Sequence, residues 1–300
     1  MTTKITLAII GPGKVGTTIA NLANRTQQYN VMIGARDKTK AKDIARLIGD
    51  DVAVVDIHAA ASSGDIVLLT VADDVINHLC TALSQAKTFK AGAIVAHCSG
   101  ALSSDELTPA REHCHAHIAS MHPLQTFPNL KSALARLAGS YCYYEGDKDA
   151  RANIKQLITC IGMLPIKIQK ESKSLYHAAA VVACNYLSAL MDASLELGEA
   201  AGIDRKTLWQ SLEPLVSSTL ENINTDGPEK ALTGPIARGD IKTIDQHLHS
   251  INALPSIEQA ERLKKVYSAM GVQSAYVARR KGSITEEIQT DLNNILEAKH

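Results

Sequence analysis

The chain has 300 residues, 45% of them hydrophobic and 21% charged, which is typical of a soluble globular protein. Lys and Arg together number 31, as do Asp and Glu, so the basic excess of a nucleic-acid-binding protein is absent. The length is more than one compact domain usually needs, which favours two domains.

The first 169 residues alternate short apolar runs with helical segments. The runs are Ile5–Ile10, Val31–Gly34, Val52–Val55, Ile66–Val71, Ala93–His97, His117–Met121, Tyr141–Tyr144 and Pro165–Ile168. Alternation of this kind predicts a mainly parallel sheet with helices on both faces. We therefore predict a Rossmann-type α/β domain over residues 1–169, with the last two strands as a modified edge.

A glycine-rich loop follows the first predicted strand and opens a helix-like segment. It consists of Gly11, Pro12, Gly13, Lys14, Val15 and Gly16. In this fingerprint the first glycine permits a tight turn, the second lets the backbone approach a pyrophosphate, and the third allows close helix–strand packing. The helix N-terminus offers free N–H groups to phosphates. The loop predicts a dinucleotide site; the alternative is a glycine-rich turn without a ligand.

The end of the second predicted strand bears on the choice of cofactor. Arg36 stands at the strand tip, with Lys38 and Lys40 behind it. Arginine can stack on adenine and pair with a 2′-phosphate, which favours NADP. Asp37 keeps NAD open, because a one-residue shift of the strand end would place a carboxylate at the ribose 2′-hydroxyl. In a third alternative these four residues are only the solvent-exposed first turn of a helix and bind no ligand.

Two further predicted strands end at the same edge of the sheet. Thr70 and Val71 end the fourth run and Asp73 follows it, while His97 ends the fifth run and Ser99 follows it. Ligands of parallel α/β sheets lie beyond the carboxyl ends of the strands. We therefore predict that these residues bind the cofactor.

Several other histidines stand near predicted strands. His122 lies at the carboxyl end of the sixth run, before a Pro-bounded loop, where a catalytic and a structural role are both open. His113, His115 and His117 alternate, but no carboxylate or other supporting partner accompanies them. We predict no metal site.

The location of the protein is predicted from what the sequence lacks. The six cysteines form no C-x-x-C pair, which indicates reduced thiols. The N-terminal apolar stretch is too short for a signal peptide. No stretch of 18 uninterrupted apolar residues occurs. We predict a cytoplasmic protein without a membrane-spanning segment.

The remaining residues, 170–300, follow a different pattern that predicts an all-helical domain. Ser172–Ala201 contains no Pro and one Gly, and its length and composition predict one long helix. Further helical segments are predicted at Lys206–Asn224, Thr243–Asn252, Ser256–Met270 and Ile284–Ala298. No run typical of a strand stands out in this half.

The predicted long helix carries a polar stripe. At about 100° per residue, Val181, Asn185, Ser188 and Asp192 lie within about 80° of His177. Buried polar side chains can simply bond to a neighbouring helix. For His177 and Asn185 we weigh that structural role equally with a functional one.

Four motifs in order resemble those of a known bacterial family. They are HCSGALSSDEL (97–107), SMHPLQTF (120–127), LYHAAAVVACNYLSAL (175–190) and ALTGPIARGD (231–240). Members of this family pair a Rossmann-like NADP-binding domain with a helical domain of unknown function, in the architecture of 6-phosphogluconate dehydrogenase. The resemblance implies an NADP oxidoreductase that forms a homodimer through the helical domain.

The resemblance also suggests site residues, with one departure. Related hydroxyacid dehydrogenases carry a catalytic Lys four residues before an Asn; if Asn185 takes the Asn position, Val181 stands where the Lys is expected. His177 or His122 then becomes the candidate proton donor, with Asn185 orienting the substrate. Arg238, in the fourth motif, is a candidate clamp for a substrate anion, or a brace for its loop.

These observations predict an NADP(H)-dependent oxidoreductase for a small carbonyl, hydroxyl or imine compound held in a cleft between the two domains. The alternative is a non-catalytic dinucleotide-binding sensor or scaffold, which the valine at position 181 favours. A reductase that uses a deazaflavin as hydride partner is a third possibility.

Overall fold

The computed structural model describes residues 4–298, so the first three and last two positions of the predicted domains lie outside it. Contacts divide the chain into two compact units, Met1–Val181 and Val182–His300. The first unit therefore continues beyond residue 169. The reason is the segment around Lys173, which is buried with residues of the sheet.

The first unit is an α/β domain built on eight strands. They are β1 (Ile5–Ile10), β2 (Tyr29–Gly34), β3 (Ala53–Val55), β4 (Ile66–Leu69), β5 (Ile94–His97), β6 (His117–Pro123), β7 (Tyr141–Gly146) and β8 (Leu164–Lys167). The helices are α1 (Lys14–Arg25), α2 (Lys38–Ile48), α3 (Ile57–Ser63), α4 (Asp73–Gln85), α5 (Thr108–Cys114), α6 (Leu130–Leu137), α7 (Lys148–Cys160) and α8 (Lys173–Ala180). Each predicted apolar run forms a strand, and the predicted fold class is confirmed.

The strands form one sheet in the order β3-β2-β1-β4-β5-β6-β7-β8. β1 to β6 pair in parallel, β7 is antiparallel to β6, and β8 is parallel to β7. The predicted modified edge is therefore the β7–β8 pair. Because β1, β4, β5 and β6 run in one direction, their carboxyl ends share one edge. The strand order reverses between β1 and β4, which is where such sheets hold their ligands.

Both faces of this sheet are buried. Leu7 and Ile9 of β1 belong to one apolar cluster, together with Ile19 of α1. Ala8 and Ile10 point the other way and belong to a second cluster with helices α3, α4 and α5. Successive strand residues face opposite sides. A strand covered on both sides must then be apolar throughout, as β1 is.

Two glycines of the β1–α1 loop are required by the packing. Gly11 has φ +85°, and a Cβ atom there would lie 2.5 Å from Val71 Cγ1. At Gly16 a Cβ atom would overlap Thr70 Oγ1 and lie 3.0 Å from Ile9 Cγ2. The absent side chain lets α1 pack directly against the sheet, as the fingerprint requires.

The second unit is helical. Its helices are α9 (Tyr186–Ala200), α10 (Arg205–Ala231, interrupted at Gly227), α11 (Ile241–Asn252), α12 (Ile257–Lys281) and α13 (Glu286–Glu297). No strand occurs in residues 182–298, the part of this unit that the structure describes. The predicted all-helical character is confirmed.

A π-helical turn, Val181–Asn185, lies between α8 and α9. A π turn bonds residue i to i+5 instead of i+4, so it holds more residues per turn than an α-helix. The predicted polar stripe assumed 100° per residue throughout, and this angle changes at Val181. His177 precedes the π turn and Asp192 follows it, so the α-helical spacing does not place them on one face. Asp192 instead pairs with Arg205 of α10.

By length and composition alone, the helical segment Lys170–Ala200 is able to cross a membrane. A soluble helix passes the same test, so this is weak evidence. Little of the apolar window is buried within the chain, and side chains such as Leu175, Val182 and Tyr186 are exposed.

The loop glycines allow a matched test of packing. Gly16→Ala should lower the free energy of unfolding by about 1–3 kcal/mol, because the methyl group overlaps Thr70 and Ile9. Gly13→Ala is the control: Gly13 has an extended backbone, and no described atom lies within 4 Å of the added Cβ. Urea denaturation measures both. An equal loss of stability in the two variants would contradict this account of the loop.

Candidate functional site

A cavity of about 510 Å³ opens beside the β1–α1 loop in the first unit. Its lining includes four of the predicted cofactor residues, Gly11, Pro12, Arg36 and Val71. The other walls come mainly from α2 and α4, with apolar side chains such as Ile44 and Leu79. A largely apolar cavity with few polar groups is typical of a small-molecule site.

The N-terminus of α1 is open towards a ligand. Gly13 is its N-cap, and no side chain of the described residues caps it. The backbone N–H groups of Lys14, Val15 and Gly16 stand in the first turn, where N–H groups have no partner within the helix. Together with the space at Gly13, this arrangement suits a phosphate.

Arg36 and Asp37 have different roles at the end of β2. Asp37 is the N-cap of α2, and its Oδ1 accepts hydrogen bonds from Thr39 N at 3.0 Å and Lys40 N at 3.2 Å. A capping carboxylate is committed to its helix. Arg36, Asp37 and Lys40 all line the cavity, and Asp37 Oδ2 lies 4.0 Å from Lys40 Nζ. Because Asp37 Oδ1 holds the helix cap, Arg36 is the better candidate to meet a ligand.

Thr70 and Asp73, after β4, contact the protein itself. Thr70 Oγ1 donates a hydrogen bond to the Gly11 carbonyl at 2.6 Å, which holds the glycine loop against β4. Asp73 Oδ2 accepts from Ser99 Oγ at 2.7 Å. Ser99 Oγ also accepts from Ala101 N and Leu102 N. The ends of β4 and β5 are therefore tied to each other.

His97 is fully buried at the end of β5. Its Nε2 lies 2.9 Å from the Ser103 carbonyl, and its Nδ1 accepts from Ser99 N at 3.1 Å. Burial, together with the charge of Lys173, lowers the pKa of His97 to about 4. Both ring nitrogens of this neutral imidazole support the turn at Ser99; a contact with the cofactor stays a prediction.

His122 and His177 come together at the same edge. Their ring centroids are 5.8 Å apart in an edge-on arrangement. His122 Nδ1 lies 2.9 Å from Tyr176 Oη, and Tyr176 packs on Tyr143 with a centroid distance of 4.2 Å. The helix α8 thus brings its Tyr176 and His177 to the end of β6.

The two imidazoles converge on Gly100. A Cβ atom built there would lie 2.5 Å from His177 Nδ1 and 2.8 Å from His122 Nε2. His177 Nδ1 is buried and has no hydrogen-bond partner among residues 4–298. A buried polar atom without a partner is costly unless water or a ligand satisfies it. This convergence is the strongest candidate site in the first unit.

The charge state of this site is set by burial and by Lys173. Burial lowers the pKa of His122 to about 4, and the charges of Lys173 and His177 act in the same direction while Asp73 opposes them. Burial also raises the pKa of Tyr176. At neutral pH the tyrosine therefore keeps its proton and His122 is uncharged. In the tautomer in which Tyr176 Oη donates to Nδ1, Nε2 carries the hydrogen.

Lys173, Glu145 and Tyr176 are parts of this arrangement that sequence reasoning missed. Lys173 is 3% exposed, and its Nζ donates to the Ser99 carbonyl at 2.9 Å and to Ser120 Oγ. Glu145 Oε1 lies 3.8 Å from the same nitrogen. Lys173 precedes His177 by four residues, the spacing of neighbours on one helix face, and that was the available signal.

The other two predicted catalytic residues, Asn185 and Arg238, belong to the second unit. Asn185 is exposed in the π turn, and Arg238 is exposed in a 3₁₀ turn. An apolar cavity of about 400 Å³ in that unit is lined partly by the same motif, with Thr233, Pro235 and Ile236 but without Arg238. Their roles stay predictions.

Residues 4–298 contain no group of three or more His, Cys, Asp or Glu side chains that is able to hold a metal ion.

Two family models match the chain, and the second match begins within the first unit, before β7. Residues 1–123 match the family described as a Rossmann-like domain, and residues 140–274 match a domain of unknown function, DUF2520. No curated protein matches the sequence.

Solved structures share the fold at low identity. A candidate NADP oxidoreductase from Bacteroides fragilis has a TM-score of 0.70 and 19% identity, covering 92% of this chain and 99% of its own. Protein TM1727 from Thermotoga maritima has a TM-score of 0.66 and 24% identity, covering 91% and 100%. An imine reductase from Myxococcus stipitatus, in complex with NADP+, has a TM-score of 0.66 and 16% identity, covering 95% and 98%.

The lowered pKa values predict a pH-dependent stability. Unfolded histidines bind protons near pH 6.5, whereas folded His97 and His122 do so only near pH 4. Between these values the unfolded chain holds more protons, so the free energy of unfolding should fall as pH falls, by up to about 1.4 kcal/mol per pH unit for each histidine. Denaturation across this range measures the slope. His122→Gln should reduce this slope, and an unchanged slope in that variant would contradict the account.

Proposed function

We propose that this chain, a Rossmann-like domain followed by a DUF2520 domain, is an NADP(H)-dependent oxidoreductase that acts on a small carbonyl, hydroxyl or imine compound. The observation that carries the proposal is the convergence of His122 and His177 on Gly100. It lies at the carboxyl edge of the sheet, on the β4–β6 side of the point where the strand order reverses. Dinucleotides bind across that point.

The residues of the first unit fit NADP(H). The uncapped first turn of α1 suits the pyrophosphate, and the open space at Gly13 lets it approach. Arg36 and Lys40, which line the cavity, suit a 2′-phosphate, and one oxygen of the neighbouring Asp37 carboxylate is engaged in capping α2. When bound, the nicotinamide supplies the hydride chemistry. The solved imine reductase from Myxococcus stipitatus, in complex with NADP+, is consistent with this choice.

The protein's own part is to bind and orient a polar group of the substrate. The Nε2–H of neutral His122 is available as a hydrogen-bond donor to a substrate oxygen or nitrogen. His177 Nδ1 supplies a second polar atom whose partner a ligand would provide. A hydrogen bond donated by Tyr176 Oη to Nδ1 would select this tautomer of His122. Asn185 as orienter and Arg238 as anion clamp are included on the family resemblance.

The first test concerns the cofactor. Arg36→Ala should weaken NADPH binding by about 10- to 150-fold, the value of one charge-assisted contact, and should change NADH binding much less. Asp37→Asn keeps the helix cap, because asparagine caps equally well, and should leave NADPH affinity unchanged. Fluorescence titration measures both cofactors. An NAD enzyme would give the reverse, with NADH affinity lost in Asp37→Asn.

The second test concerns turnover. NADPH oxidation is followed with a panel of small ketones, aldehydes and imines, and His122→Ala should lower kcat on the active substrate by about 100-fold or more. Gly100→Ala should do the same, because its methyl group would lie under 3.0 Å from both imidazoles and displace them. Both variants should retain NADPH affinity. Tight binding without turnover by the unmodified protein across the panel would instead favour the sensor or scaffold.

We also propose a soluble, cytoplasmic homodimer formed by the helical unit. The support is the apolar surface exposed on this unit, which includes Val182, Tyr186, Leu215 and Leu220. Buried contact between two copies would cover such a surface.

Light scattering of protein purified without detergent tests the dimer. Leu215→Glu should yield monomer, whereas Leu47→Glu, at an equally exposed leucine (63% for both) on α2, should leave the dimer intact. A monomeric wild-type protein, or one recovered only from membranes, would overturn the proposal.

A further inference from the structure

Lys173 and Glu145 form an ion pair that is almost completely buried, next to the candidate site. Lys173 and Glu145 have side chains that are 3% and 4% exposed. The Lys173 ammonium contacts the Ser99 carbonyl and Ser120 Oγ, and the Glu145 carboxylate accepts from Ser104 N and Ser104 Oγ, both at 2.7 Å. Every charged oxygen and nitrogen of the pair thus has a partner in the protein.

A pair of this kind is a poor device for stability alone. Removing two charges from water costs several kcal/mol per ion, and apolar residues of similar volume often stabilise a fold as well or better. Burial lowers the pKa of Lys173 to about 8, and Glu145 opposes that effect. The lysine therefore remains mostly charged at pH 7, at a site where an apolar side chain would avoid the desolvation cost.

The contacts of Lys173 reach each component of the candidate site. Tyr176 and His177 follow it by three and four residues and so share its face of α8. Ser99, whose carbonyl it binds, precedes Gly100, on which the imidazoles converge. Ser120 precedes His122 by two residues on β6 and therefore lies on the same face of the sheet. One ammonium group thus links the helix, the turn and the strand.

The charge of Lys173 also acts on the imidazoles. It disfavours a proton on both His97 and His122 because like charges repel. His122 is faced by groups from three elements, namely Lys173, Tyr176 and His177 of α8, Asp73 of α4, and Tyr143 of β7. Lys173 and His177 oppose the imidazolium and Asp73 favours it.

We propose that Lys173, held by Glu145, is a positioning residue for the candidate site. It fixes α8 and the Ser99–Gly100 turn so that the two imidazoles converge, and its charge adds to burial in disfavouring a proton on His122. The importance of this for turnover rests on the proposed function. The charge state of His122 does not, and it can be measured in the protein without substrate.

The test compares two double variants that each remove one Lys–acid pair. Lys173→Met/Glu145→Gln removes the buried pair and leaves neither partner as an uncompensated buried charge. Lys170→Met/Asp105→Asn removes the exposed pair of Lys170 and Asp105, whose Nζ–Oδ2 distance is 2.8 Å, and is the matched control. NMR titration of ¹³C,¹⁵N-histidine-labelled protein gives the pKa of His122 in each, assigned with His122→Gln. Thermal unfolding reports stability separately.

The buried-pair variant should raise the pKa of His122 by about one pH unit, because Lys173 has the largest charge effect on this group, so that losing it outweighs the loss of the Glu145 charge. The exposed-pair variant should leave it unchanged. If the buried-pair variant folds and the His122 pKa stays at its wild-type value, the electrostatic role is overturned, whatever the melting temperature does. If it does not fold, Lys173→Arg is measured instead: it keeps the charge, so the His122 pKa should remain low, and a rise would overturn the proposal.

A turnover measurement separates this inference from the proposed function. With an active substrate, the buried-pair variant should lower kcat and shift the acidic limb of its pH profile upward with the pKa of His122. A pKa shift in a protein without any turnover would sustain the role of Lys173 and overturn the enzyme. Turnover with an unshifted pH profile would sustain the enzyme and overturn the role of Lys173.

Discussion

The parallel pairing of β1 to β6 is the constraint on which the candidate site depends. It brings the glycine loop after β1, Asp73 after β4, Ser99 after β5 and His122 of β6 to one edge. An antiparallel β6 would send its carboxyl end to the other edge. The direction changes only at β7, and the antiparallel register of β6 and β7 places Glu145 opposite Ser120. The buried carboxylate therefore lies where Lys173 can reach both.

Parallel strands alone do not complete the site, because His177 and Tyr176 come from a helix that follows the sheet. Lys173 connects that helix to the sheet through charge and hydrogen bonds, in addition to the packing of Tyr176 on Tyr143. A directional bond of this kind specifies one arrangement of α8, whereas apolar contact tolerates small shifts. A functional site needs that specificity, because its groups must be held within about 0.5 Å of the productive geometry.

Much of the fold follows from local patterns, and much of the site does not. The eight strands were predictable because strands buried on both faces must be apolar. The glycine loop was predictable because a side chain at a position such as Gly16 would clash with neighbouring residues. The edge that holds His97 and His122 was also predictable. The sequence did not show which of the two has a free ring nitrogen. In the structure both ring nitrogens of His97 have hydrogen-bond partners, at Ser99 and Ser103. The burial of Lys173 depends on partners from three other segments, which no local pattern reveals.

The π turn changes the meaning of the valine at position 181. In an α-helix, residues four apart stack on one face, so a Lys and an Asn at that spacing can serve one substrate. Val181 and Asn185 bound the π turn, where the bonding pattern is i to i+5, and the α-helical relation does not apply to them. A missing lysine at that position is then weak evidence against catalysis. Uncharged His122, with Tyr176 as its partner and His177 beside it, offers a proton-bearing group on the sheet side instead. If NADPH oxidation is found, its dependence on His122 will show whether this chain performs the chemistry without that lysine.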